Sequence, residues 1–323
     1  MESKIYQILS VMSEVLNAQQ LERLQTVLFE QFAEEETQVE KVLDNQDYLE
    51  LFVAAKRVEG CTERTIEYYR STIQNMLSTI GLPIRQITTD VLREYLTKYQ
   101  SNNNCGKVTV DNIRRNLSSF FSWLEDEDHI IKSPIRRIHK VKTGTIVKET
   151  FSDENIETLR DGCHSIRDLA IIDLLYSTGM RVGELVNLDI DDINFEEREC
   201  IVYGKGNKER RVYFDAKAKL HIQKYLAERT DSNPALFVSL DSPHNRLNIN
   251  GVEYRLRQLG RELNINKVHP HKFRRSMATK AIDKGMPIEQ VQKLLGHQQI
   301  DTTMHYAMVN QTNVKMSHRK YIA

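Results

Sequence analysis

The apolar positions of the first 42 residues recur at intervals of three and four: Ile5, Leu9, Met12 and Leu16, then Leu21, Leu24, Leu28 and Phe32. That spacing puts each set on one side of a helix and predicts two short amphipathic helices, with Glu34-Glu35-Glu36 as a solvated end or connector. Residues 43–140 read as a compact helical unit. One helix runs from Asn45 to Lys56. A second, TERTIEYYRSTIQNMLSTIG, takes Thr62 as N-cap and stops near Gly81 and Pro83. Thr89 is read as the cap of a third, DVLREYLTKY, and residues 101–106 as a polar loop. A fourth helix starts at about Thr109 and buries Ile113, Leu117, Phe120, Phe121 and Leu124. Arg114 and Arg115 fall off that side, where they serve either solvation or phosphate contact.

The stretch 133–149, SPIRRIHKVKTGTIVKE, combines proline, glycine and basic side chains with little helical period. It reads as a basic interdomain linker, most narrowly residues 141–148. From Phe151 the texture turns mixed. Asp153 opens a short helix, and another runs from about Ser165 to Gly179. Residues 200–214 contain two β-rich runs around GKGNK, a hairpin signal. Helical segments follow at 215–229, 250–263, 270–285, 287–296 and about 301–309. The expected fold is mainly α with a small β-sheet. It has an acidic helical extension (1–42), a helical domain (43–140) and an α+β domain (149–323).

The 323 residues, 40% hydrophobic and 28% charged, suit a soluble two-domain protein. No apolar window approaches a membrane span, and the first residues are too polar for a signal peptide, so a cytoplasmic protein is expected. Cys61, Cys105, Cys163 and Cys200 lie far apart, which favours reduced thiols over zinc or a disulfide framework. The net charge of zero conceals an asymmetry. Residues 1–50 hold three basic and eleven acidic groups, a net of −8, so the remainder carries 42 basic and 34 acidic groups, a net of +8. An acidic head on a basic body points only the body at a polyanion such as DNA, while the two short stripes of the head call for a protein surface to cover them, a frayed tail being the alternative.

One group of residues has a chemistry that a core does not need. Arg181 follows the helix-ending Gly179, Lys205 sits in the GKG turn, and His271 and Arg274 share a helical face at i, i+3. His297 lies just past a helix C-cap, and Tyr306 nine residues further on. Singly, each has an ordinary structural reading: a surface charge, a solvated hairpin tip, a half-buried tyrosine. A nucleotide-binding loop is disfavoured, because the GxxxxGK[ST] pattern is missing.

In chain order, however, TGMRVGEL (178–185), GKGNKER (204–210), HPHKFRR (269–275), LLGH (294–297) and TTMHY (302–306) resemble a known set. They are similar to the motifs of tyrosine recombinases of the phage integrase family, which includes Xer-type resolvases and conjugative-transposon integrases. The resemblance covers about residues 43–310. It implies the catalytic set Arg181, Lys205, His271, Arg274, His297 and the nucleophile Tyr306, with Glu184 helping to hold the site. Many members have histidine after the second arginine, where this sequence has Arg275.

The set makes chemical sense for phosphodiester attack. Arg181 and Arg274 offer forked donors to the non-bridging oxygens, and His297 another. No acidic cluster suited to magnesium accompanies them, so no metal and no cofactor is expected. Tyrosine ionises at about pH 10 in isolation, and neighbouring cations and His271 as base would lower that barrier. Lys205 would protonate the leaving 5′ oxygen, and a phosphotyrosine would conserve the bond energy for rejoining.

The resemblance further implies a two-domain DNA clamp and a homotetramer on two sites. Its partner would be double-stranded DNA with inverted-repeat core sites, accessory proteins being possible and a membrane not involved. On that frame Arg114, Arg115, Arg136, Arg137, Lys140 and Lys142 become DNA-contact candidates. Two alternatives stay open: a type IB topoisomerase, which would relax supercoils as a monomer, and a catalytically idle DNA-binding protein of the same fold.

Overall fold

The computed structural model describes residues 8–13, 15–37, 43–142, 149–204 and 209–304. They fall into two compact units, residues 1–144 and 145–323. In the first, residues 8–12 are helical and α1 spans Ala18–Thr37, so the Glu34-Glu35-Glu36 run lies inside the helix end rather than in a connector. Ile5 and the side chain of Phe32 lie outside the described residues.

Four helices then build one core: α2 (Asn45–Val58), α3 (Glu63–Ile80), α4 (Thr89–Asn102) and α5 (Lys107–Asp126). Asp44 caps α2 by accepting from the Gln46 and Asp47 amides, while Asp47 accepts from the Asp44 amide, a reciprocal capping box. Thr62 caps α3 through the Thr65 amide, and Gly81, at φ 67°, ends it in the left-handed region that a side chain would strain. The cap of α4 is Thr88, not Thr89. Thr88 accepts from the Val91 amide, while the Thr89 hydroxyl donates to the Pro134 carbonyl at 2.6 Å. The helix continues through Asn102, so the polar loop shrinks to 103–106. Leu49, Phe52, Ile73, Met76, Leu117, Phe120, Phe121 and Leu124 are fully buried, with Phe52 edge-on to Phe120 at 5.2 Å.

The basic stretch is not all linker. Pro134–Arg137 forms a 3-10 turn, Ile135 is buried, and Ile138 and Val141 pack against the same core. Glu125 accepts from the Ser133 amide and Asp111 from the Val141 amide, each at 3.1 Å. Apolar residues three apart thus pin residues 133–141 to the first unit, while Arg136, Arg137, Lys140 and Lys142 stay exposed. Residues 143–148, including the rest of the expected linker, lie outside the described residues.

The second unit surrounds the apolar helix α7 (Ile166–Thr178), whose Ala170, Ile172, Leu174 and Leu175 are fully buried. It follows α6 (Asp153–Asp161), capped by Ser152, and ends at Gly179 with φ 62°. Next come α8 (Val182–Asn187) and an antiparallel sheet in the order β1 (Ile193–Asn194), β2 (Glu199–Tyr203), β3 (Glu209–Tyr213). The first strand was not legible in the pattern. Cys200, Val202 and Val212 face the core, with Val202 opposite Arg210 and Cys200 opposite Val212. The helices α9 (Ala216–Glu228), α10 (Ile249–Glu262), α11 (Pro270–Asp283), α12 (Ile288–Leu295) and α13 (Ile300–Met304) complete the unit. Ile222, Phe237 and Phe273 join the central cluster, and Met277, Ala278, Val291 and Leu295 form a smaller one between α11 and α12.

Candidate active site

Arg274 is the organising side chain. It stands on the first turns of α11, 1% exposed, because the apolar neighbours Phe273, Met277 and Ala278 turn that face of the helix inward. Its Nη1 donates to the Gly179 carbonyl and its Nη2 to the Leu295 carbonyl, both at 2.7 Å. Those are the C-cap of α7 and the last residue of α12, where carbonyls lack intrahelical partners and the helix dipole is negative. The negative ends of two helices thereby face the buried guanidinium.

Nη2 also donates to His297 Nε2 at 2.9 Å. An arginine only donates, so Nε2 must accept, and the imidazole proton resides on Nδ1, 2.8 Å from the Thr303 hydroxyl. His297 follows Gly296, which at φ 66° ends α12 and turns the chain. Burial first, then the charges of Arg274, Arg181 and Arg210, lower the His297 pKa from 6.5 to about 4. The unfolded chain therefore takes up a proton before the folded one does. Stability should fall as pH drops from about 6.5 through about 4, and this contribution to pH dependence is absent above that window. Replacing His297 with Gln should flatten the decline of the melting temperature between pH 7 and 4.5. Parallel curves for the two proteins would contradict this account.

Arg181 precedes α8, with 40% of its side chain exposed. Its amide donates to Glu184 Oε2 at 2.7 Å, its Nη1 to Glu184 Oε1 at 2.9 Å, and its Nη2 reaches the Gly296 carbonyl at 3.5 Å. Burial pushes the Glu184 carboxyl toward its neutral form. The hydrogen bonds from Arg210 and from Arg181 outweigh that and hold its pKa below the ordinary range. His271 is exposed on the first turn of α11, one turn before Arg274.

The structure thus brings together Arg181, Glu184, Arg274 and His297 around the ends of α7 and α12. Lys205 and Tyr306 lie outside the described residues. Arg275 donates to the Glu149 carbonyl at 3.0 Å. Two contributors escaped sequence reasoning, Arg210 and Thr303. Arg210 was signalled by strand alternation, which sets a charged residue on the same inward face as Val212. Thr303 stood within TTMHY without any mark of a partner six residues back.

Of the basic candidates in the first unit, Arg114 is half-buried and donates to Asp111 at 2.9 Å, so it is not simply off the buried side. Arg115 pairs with the other oxygen of Asp111 at 2.9 Å but keeps 58% of its side chain exposed.

Residues 149–313 match the family model described as Phage integrase family, and residues 48–131 match that of the Phage integrase N-terminal SAM-like domain. The tyrosine recombinase XerC of Oceanobacillus iheyensis is 30% identical over 84% of this chain and 95% of its own. That of Pediococcus pentosaceus is 33% identical over 64% of this chain and 72% of its own. Solved structures share the fold. The Tn1549 transposon integrase with circular-intermediate DNA aligns at TM-score 0.69 and 17% identity, over 84% of this chain and 98% of that one. A lambda integrase dimer bound to a core site aligns at 0.67 and 18%, over 82% and 77%. The chain belongs to the phage integrase family, with the mainly helical fold and small antiparallel sheet of its two-domain members. It is a tyrosine-type site-specific recombinase.

Proposed function

We propose that this recombinase breaks and rejoins DNA through a 3′-phosphotyrosine formed by Tyr306. The Tyr306 oxygen bonds to the scissile phosphorus as the bond to the 5′ oxygen breaks. The phenolic proton passes to His271, and Lys205 supplies the proton that the leaving 5′ oxygen takes. Arg181 and Arg274 hold the non-bridging oxygens, where negative charge builds. His297 adds a donor once its Nε2 gives up the Arg274 bond and carries the proton, and the Thr303 hydroxyl, able to donate or accept, serves either tautomer. The observation that carries this reading is the convergence of Arg274, Arg181 and His297 on the turn after α12.

Residues 43–140 would form the core-binding domain and 149–323 the catalytic domain, closing as a clamp on double-stranded DNA with inverted-repeat core sites. The exposed Arg115, Arg136, Arg137, Lys140 and Lys142, with Arg114 beside them, would lie along the phosphates. The active form would be a homotetramer on two sites, with or without accessory proteins. It would work in the cytoplasm in integration, excision, inversion or resolution, on a mobile element or its host DNA.

A nicked suicide substrate tests the chemistry. With EDTA present, the protein should form a denaturant-resistant adduct on one strand, because the charge comes from fixed arginines. Paired full sites should yield exchanged strands in complexes of four protomers. An adduct that vanishes with EDTA and returns with magnesium would overturn the account.

A further inference from the structure

The buried carboxylate of Glu184 serves two arginines unequally. Arg210 grips it fork to fork, Nη1 to Oε1 at 2.6 Å and Nη2 to Oε2 at 2.7 Å, and its Nε donates to the Leu294 carbonyl at 3.0 Å. Arg181 reaches one oxygen with its side chain and the other only with its backbone amide. A carboxylate offers about four lone-pair directions, and these four donors fill them. The exposures follow the same division: 11% for the Arg210 side chain, 3% for Glu184 and 40% for Arg181.

We propose that Arg210 is a positioning residue for recombination: by occupying both oxygens of Glu184 it keeps Arg181 from closing into a bidentate ion pair, leaving the outer guanidinium edge of Arg181 for the scissile phosphate. This rests on the phosphate-binding reading of Arg181 given above. The charge balance argues the same way. Glu184 and Arg181 alone would cancel, whereas the three side chains together present one net positive charge to an incoming anion. Bidentate guanidinium–carboxylate pairing is among the strongest side-chain contacts, so an unopposed Glu184 is a direct competitor of the phosphate. Arg210 also seats the turn that carries His297. A Cβ on Gly296 would lie 2.8 Å from Arg210 Cδ, and at φ 66° that turn already requires glycine.

The test is single-turnover cleavage of a nicked half-site by the full chain. Arg210→Met should slow cleavage by on the order of 10²-fold, the scale of one lost charge-stabilising donor, with half-site affinity nearly unchanged. Adding Glu184→Gln to that variant should recover about tenfold, since a neutral amide cannot hold Arg181 in an ion pair. A purely structural role predicts the reverse, a double variant slower than either single one, and that result overturns the proposal. Should Arg210→Met fail to fold, Arg210→Lys with and without Glu184→Gln carries the same comparison, because lysine keeps the charge but not the fork. Arg181→Ala separates the two levels. If it cleaves normally, the phosphate-binding reading itself fails. If it is inactive and Glu184→Gln gives no recovery, only the role of Arg210 fails.

Discussion

Tyr306→Phe should bind half-site DNA as the parent protein does and form no covalent adduct. The substitution removes a single oxygen with little change of shape, so affinity, which in DNA-binding proteins generally rests on many phosphate contacts, has no reason to move. Chemistry has every reason to move. Loss of a covalent nucleophile typically costs on the order of 10⁴-fold or more, because the remaining site can only polarise the phosphate and wait for water. A radiolabelled suicide half-site, resolved under denaturing conditions, should show a shifted band with the parent and none with the variant. An adduct of undiminished yield would move the nucleophile elsewhere. On the same substrate, sulfur in place of the 5′ oxygen isolates the acid step, since a thiolate leaves without a proton. Lys205→Ala should then regain most of its lost rate. Equal inactivity on oxygen and sulfur would assign Lys205 to binding or positioning.

The punctuation of this fold is legible in the sequence, because caps and stops are decided locally. Thr62, Gly81, Gly179 and Gly296 each act within one turn of their own helix, and hydroxyl caps and left-handed glycines have few substitutes. Where a long-range partner decides, the pattern was ambiguous. The sequence reads Thr89 as the cap, and Thr88 carries the same hydroxyl chemistry. The Pro134 carbonyl, 45 residues away, engages the hydroxyl of Thr89, and Thr88 is left to cap. The stretch 133–141 looked like linker because its charges and proline stand out more than Ile135, Ile138 and Val141, which find their surface only when α4 and α5 are assembled. The two-residue strand β1 exists only through its pairing with β2.

The candidate site residues stand out as a motif, yet their wiring does not. That Arg274 is buried on two helix ends, and that Arg210 shares Glu184 with Arg181, are properties of elements brought together across 21 to 95 residues of chain.

Arg274→Lys should show how far that burial serves chemistry as well as folding. Arginine spans the Gly179 and Leu295 carbonyls with separate nitrogens of one rigid plane, and a third hydrogen bond holds His297. An ammonium is a compact point with three donors on a flexible stem, so it can keep the charge but cannot meet all three acceptors in that geometry. At least one buried carbonyl or the imidazole loses its donor, at about 1–3 kcal/mol for each group left unsatisfied. For a unit of this size that lowers the melting temperature by about 2–12 °C. The catalytic loss should be larger than the folding loss explains. Once the fork is gone, the charge is no longer fixed by two helix ends, and a donor aimed where negative charge develops is worth about 10²–10³ in rate. Cleavage is therefore to be measured at least 15 °C below the variant's own melting temperature, as set by thermal denaturation. There the lysine variant should still bind half-site DNA within about fivefold of the parent, yet cleave on the order of 10³-fold more slowly. If the defect closes when the protein is fully folded, Arg274 is a structural clasp between α7 and α12, and the phosphate is held by Arg181 alone.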